Sequence, residues 1–151
     1  PQFHATLFPD YASVQGNLFG AASNIGNAIK LAYLCHAQTK SIKPGDILLF
    51  YRTEDEKAVT SIGIVDRFDM LVDAARIASL VSRRTVYGID DINSMAKKRL
   101  TKVILFRLIQ HFPRPVSYSR LLEDGVISGP IQSIRMISDE SFSKVLAAAR
   151  R

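Results

Sequence analysis

Apolar residues run unbroken from Ile47 through Phe50 and then give way to Tyr51, Arg52 and Thr53. A short continuous apolar run bounded by turn residues is the pattern of a strand buried on both faces. KPGD turns the chain into this run, TEDEK turns it out, and AVTSIGIVDRF at 58–68 returns, so 45–68 predicts a hairpin. Upstream, HATLFPDY predicts a short strand stopped by Pro9, and residues 10–22, rich in Gly, Asn, Ser and Ala, predict a loop. Ile25, Ala28, Ile29 and Ala32 fall at the spacing of one helix face behind a possible cap at Ser23 or Asn24, which predicts a helix through SNIGNAIKLAYLCHA. Downstream, residues 72–82 have helical composition, and GIDDINSMAKK places Asp at its start and Lys at its end, as a helix dipole favours. Residues 101–112 predict a strand, PRPVSYSRLLEDG a short helix closed by Gly125, SIRMI a last short strand, and SDESFSKVLAAAR a final helix capped by Ser138. Strand pairs separated by helices predict an α+β domain on a small, partly open β-barrel of about five to six strands.

Composition narrows this picture. A chain of 151 residues that is 47% hydrophobic supports a single domain over 1–151 with one real core. The lone cysteine, Cys35, leaves no internal disulfide and no Cys-rich zinc site, which fits a reducing compartment such as the cytoplasm. No apolar run approaches the roughly 18 residues of a membrane span, so no membrane partner is expected. PQFHATLF lacks the basic and apolar regions of a signal peptide, and a start at Pro1 leads us to expect the C-terminal part of a longer protein. Charge changes the picture most. Residues 1–75 carry 6 Lys/Arg against 8 Asp/Glu, a net −2, and residues 76–151 carry 14 against 6, a net +8, giving the total of +6. A basic half is what a polyanionic partner requires, although a solvated face has the same composition.

Three segments carry a family resemblance. IKPGDILLFYRT…VTSIGIVDRF resembles the first barrel hairpin of the PUA-like superfamily, FPRPVSYSRLLEDG resembles the PVxLxxLK helix of its EVE and YTH-type domains, and SIRMISDESFSKVL resembles their closing strand and helix. The order is the family's, and the matches run from about Ser23 to Leu146. Residues 69–99 depart from a minimal EVE domain by carrying extra helix. That stretch, with its RTVYG, is similar to bacterial PUA-like domains attached to acetyltransferase or nuclease-like modules, so a fused enzyme domain upstream is a possible partner. The resemblance implies a PUA-like barrel that binds RNA or DNA, accepts a modified or single-stranded base in a pocket beside the barrel, uses no cofactor and catalyses no reaction. A regulatory module that binds a small ligand or an attached enzyme domain is the alternative.

With that resemblance, Tyr51, Arg52 and Thr53 become candidates for the rim of a base pocket: an aromatic to stack, a guanidinium to pair or stack, a hydroxyl to hydrogen-bond. Their structural alternative is a strand end with Tyr51 in the core and Arg52 paired to Glu54 or Asp55. Asn24 and Asn27 stand where the superfamily often places base-contacting polar residues, unless Asn24 is merely a cap. Tyr33 either faces the pocket or packs in the core, and Ser133 with Arg135 belongs to a strand whose counterpart runs along the pocket wall. Arg83 and Arg84 beside Tyr87, and the run Lys97, Lys98, Arg99 and Lys102, are candidate phosphate contacts or a solvated face.

Catalytic chemistry finds little support. Cys35 and His36 are adjacent and would not face each other on a helix, and His4, His36 and His111 are scattered without ligand spacing, so neither a thiol nucleophile nor a metal is expected. GNLFGAASNIG lacks the GK(S/T) of a phosphate-binding loop.

Overall fold

The hairpin at 45–68 is present and forms the centre of the fold. The computed structural model describes residues 5–10, 29–38, 41–81, 88–97 and 99–150. In chain order these form β1 (Ala5–Asp10), β2 (Ile29–Cys35), β3 (Ile47–Arg52), β4 (Ala58–Leu71), α1 (Ala74–Val81), α2 (Ile89–Ala96), β5 (Thr101–Ser117), α3 (Tyr118–Glu123), β6 (Arg135–Ile137) and α4 (Asp139–Arg150). They build one six-stranded sheet in the order β2-β5-β4-β3-β1-β6, in which only β1 and β3 run parallel. Among the described residues β2 and β6 do not pair, so the sheet is open and the α+β class stands without a closed barrel.

The apolar run of β3 works as expected. Alternate residues go to opposite faces: Leu48 and Phe50 enter an inner cluster with Leu31, Tyr33, Val65, Ile104 and Phe106, while Leu49 and Tyr51 pack outward against α3 and α4 through Leu121, Val145 and Ala149. Further along the outer face, Ala32, Leu34, Val103 and Leu105 are covered by Ile77 and Val81 of α1 and Ile92 and Ala96 of α2. All four helices among the described residues therefore lie on one side. The inner cluster is approached instead by Ile42 and Ile134.

The local signals that held have visible causes. Gly45 adopts φ +91°, the left-handed region, and the carboxylate of buried Asp46 accepts from the Lys43 amide at 2.8 Å, so KPGD is a hydrogen-bonded turn that sets the register of β3. At the start of α2, Asp91 accepts from the Gly88 amide at 3.0 Å. Ser138 caps α4, accepting from the Ser141 amide at 3.1 Å.

Three expectations are corrected. The segment 29–35, expected as the body of a helix, is strand β2: its apolar residues serve clusters on both faces, so periodicity is lost, and pairing with β5 decides its state. Strand β1 does not stop before Pro9: it pairs with β3 through Asp10, while β6 pairs with Ala5–Leu7 and, among the described residues, no strand accompanies Pro9 on that side, where a missing N–H is tolerated. Strand β5 likewise runs through Pro113 and Pro115 to Ser117, held there by its pairing with β4 through Val59↔Val116 and Ala58↔Ser117. The helix expected over PRPVSY thus begins at Tyr118, with the Ser117 hydroxyl accepting from the Arg120 amide at 3.3 Å.

Candidate functional site

Tyr51 and Arg52 are engaged in the fold itself. Tyr51 is 5% exposed and packs against Tyr118 with ring centroids 6.4 Å apart, which corrects the expectation of a stacking face at the strand end. Burial first, and the Tyr118 phenol second, push its hydroxyl above the ordinary tyrosine range. Arg52 donates from Nη1 to Glu56 at 2.9 Å and from Nη2 to Asp55, so its charge is spent on the turn. Thr53 sits half-buried on the same turn.

At the opposite end of the sheet the inner face presents a different chemistry. Cross-strand register places Cys35, Lys102 and Met70 in one row, and Tyr33, Ile104 and Phe68 in the next. Lys102 is 6% exposed, while Met70 beside it is 43% exposed, so the row is buried at its centre and open at one side. Among the described residues no carboxylate forms an ion pair with Lys102. The segments outside the described residues contain no Asp or Glu. Asp10 is paired in register with Arg52, at the far end of the sheet. An ammonium held away from water without a counter-charge is expensive, and an anion is what satisfies it.

Cys35 reports on this row. Burial pushes its thiol up, and the Ala37 backbone hydrogen bond and the Lys102 charge oppose that rise. Alkylation of Cys35 at neutral pH is therefore expected to be slower than that of a free thiol. Removal of the Lys102 charge should slow it further, because the nearby cation that favours thiolate is lost. Alkylation rates of wild type and Lys102→Met across pH 7–10 check both statements.

The remaining candidates are dispersed. Ser133 is exposed, and Arg135, at the start of β6, donates to the Pro130 carbonyl at 3.4 Å; Ile134 between them packs on the inner cluster. Lys97 and Arg99 are exposed after α2 and form no ion pair among the described residues. Asn24, Asn27, Arg83, Arg84 and Lys98 lie outside the described residues. Cys35 and His36, adjacent on a strand end and not on a helix, diverge: His36 Nε2 lies 2.9 Å from the Met95 carbonyl. Sequence reasoning missed a polar chain at the other end of the inner face, where Thr60 and Ser61 hydroxyls lie 3.2 Å apart and Ser61 Oγ lies 2.8 Å from His111 Nδ1. That spacing resembles a nucleophile and base, but Ser61 is 1% exposed and offers a substrate no approach. Among the described residues no group of His, Cys, Asp and Glu is gathered for a metal, and no helix is long and apolar enough to cross a membrane.

No family model matches the chain, and no curated protein is recognisably similar in sequence. Solved structures are similar in fold. An ASCH protein from Zymomonas mobilis superposes with a TM-score of 0.72 at 14% identity, covering 95% of this chain and 94% of its own. A hypothetical protein from Leishmania major gives 0.64 at 12% identity over 99% and 96%. The human THYN1 protein, in complex with 5-methylcytosine-containing DNA, gives 0.58 at 10% identity over 98% of both chains. At these identities what is shared is the backbone arrangement, so the chain has the fold of these ASCH and THYN1 structures.

Proposed function

We propose that this domain is a nucleic-acid reader that takes an unstacked nucleotide at the open end of its inner face, without catalysing a reaction. The observation that carries the reading is Lys102, buried and without an ion pair among the described residues, one row from an aromatic. A phosphate oxygen would supply the missing charge, and Tyr33 with Phe68 would wall the base. The face is read as the inside of a partly open barrel. The basic half of the chain, net +8 over residues 76–151, supports a polyanionic partner. The shared fold with a protein solved on 5-methylcytosine DNA favours a modified base as the target. Unstacking costs a few kcal/mol, least for single strands and damaged bases, so single-stranded DNA or RNA is the preferred form.

Fluorescence titration with matched single-stranded DNA and RNA oligonucleotides, with and without 5-methylcytosine, tests the reading. Affinity is expected to fall steeply between low and moderate salt, with a log–log slope of about −0.7 for each phosphate neutralised. Absence of binding, or binding indifferent to salt, would overturn it.

A further inference from the structure

We infer that the domain has a second nucleotide-sized site on its outer face, which binds single-stranded nucleic acid through Arg114 and Arg150. This inference shares with the proposed function the class of partner, and it concerns a different face and the other end of β5. A groove of about 480 Å³ opens between β4, β5 and the last turn of α4, with Ile62, Ile109 and Leu146 among its apolar walls and Arg114 and Arg150 as its charged groups. A second groove of about 320 Å³ lies across Arg114 and adds Arg120. Among the described residues no carboxylate lines either groove. Arg120 is bonded to Asp124 at 2.8 Å, whereas Arg114 and Arg150 are exposed and form no ion pair among the described residues. Ile109, 47% exposed, is the apolar wall that faces solvent.

Three features choose the occupant. The lining charges are all positive and all guanidinium, the group whose planar fork matches phosphate oxygens. The volume suits a nucleotide and falls short of what an amphipathic helix would need. Pro113 and Pro115 flank Arg114 and supply no backbone N–H, which disfavours an incoming peptide strand. The same prolines fix the backbone on either side of Arg114, so its placement costs little order on binding.

The test compares wild type, Arg114→Gln with Arg150→Gln, and Arg114→Lys with Arg150→Lys, using a labelled single-stranded oligonucleotide across a salt series, with unfolding checked in parallel. The glutamine pair is expected to lose about tenfold in affinity and to flatten the salt slope by about 1.4, two phosphates at about 0.7 each. The lysine pair should keep the slope, because it keeps the charge. Photocrosslinking of a bromouridine oligonucleotide should label residues 109–114 or 146–150 in wild type. An unchanged affinity and slope in the glutamine pair would overturn the site, and if Lys102→Met lost binding in the same series the reader function would stand without it. Protection of the groove by a polyglutamate peptide that the oligonucleotide cannot displace would also overturn it, in favour of an acidic protein partner. No binding by wild type would overturn both proposals together.

Discussion

Replacing Phe50 with alanine is expected to cost about 3–5 kcal/mol of folding stability, the range for removing a large aromatic from a packed core. Phe50 is 1% exposed at the centre of the inner cluster, and its ring meets that of Phe106 with centroids 5.0 Å apart. The neighbourhood is too close-packed to collapse into the gap. A Cβ on Gly63 would lie 2.8 Å from the Arg107 carbonyl oxygen and 3.3 Å from each of the two rings, which is why glycine stands there. Urea denaturation of Phe50→Ala, set beside Leu122→Ala at a 39% exposed position of α3, provides the check. A loss at Phe50 no larger than that at Leu122 would contradict the core assignment.

Lys102→Met is expected to move binding and stability in opposite directions. Methionine nearly preserves the length of the side chain and removes the charge. Loss of one charge-assisted contact to phosphate corresponds to about 1.5–3 kcal/mol, or about 10–100-fold in affinity. The unliganded protein should gain about 1–3 kcal/mol in stability, because an unsatisfied buried polar group costs about that much. A residue that merely packs would do neither. Oligonucleotide titration and urea denaturation on the same preparation decide it: a destabilised variant with unchanged affinity would assign Lys102 to the scaffold alone.

The hairpin was legible because a strand buried on both faces must be apolar at every position, and because KPGD contains its own turn chemistry in Gly45 and Asp46. The helices α2 and α4 were legible for a similarly local reason: their first-turn carboxylates, and the Ser138 cap of α4, act within a few residues, whereas α1 was legible from its composition. The same locality explains the failures. From Leu31 to Leu34 every position is buried, so a helix and a strand leave nearly the same trace, and only the ladder to β5 separates them. Pro9, Pro113 and Pro115 look like strand breakers until the pairings with β3 and β4 are seen to carry β1 and β5 through them.

The candidate site divides along the same line. Sequence could say that Tyr51 and Arg52 end an apolar strand, but which of them turns into the core depends on the pleat of β3 against α3 and α4. It could place Lys102 in a basic stretch with Lys97 and Arg99, where all three look equivalent. Charge and propensity are properties of a residue and its near neighbours, so the amino-acid order by itself determined the turns, the caps, the both-face burial of 47–51 and the basic half. Counter-charge is a property of three-dimensional neighbours. That Lys102 is buried beside Cys35 and Met70, with no ion pair among the described residues, was decided only when the registers of β2, β4 and β5 brought residues 35, 70 and 102 into one row.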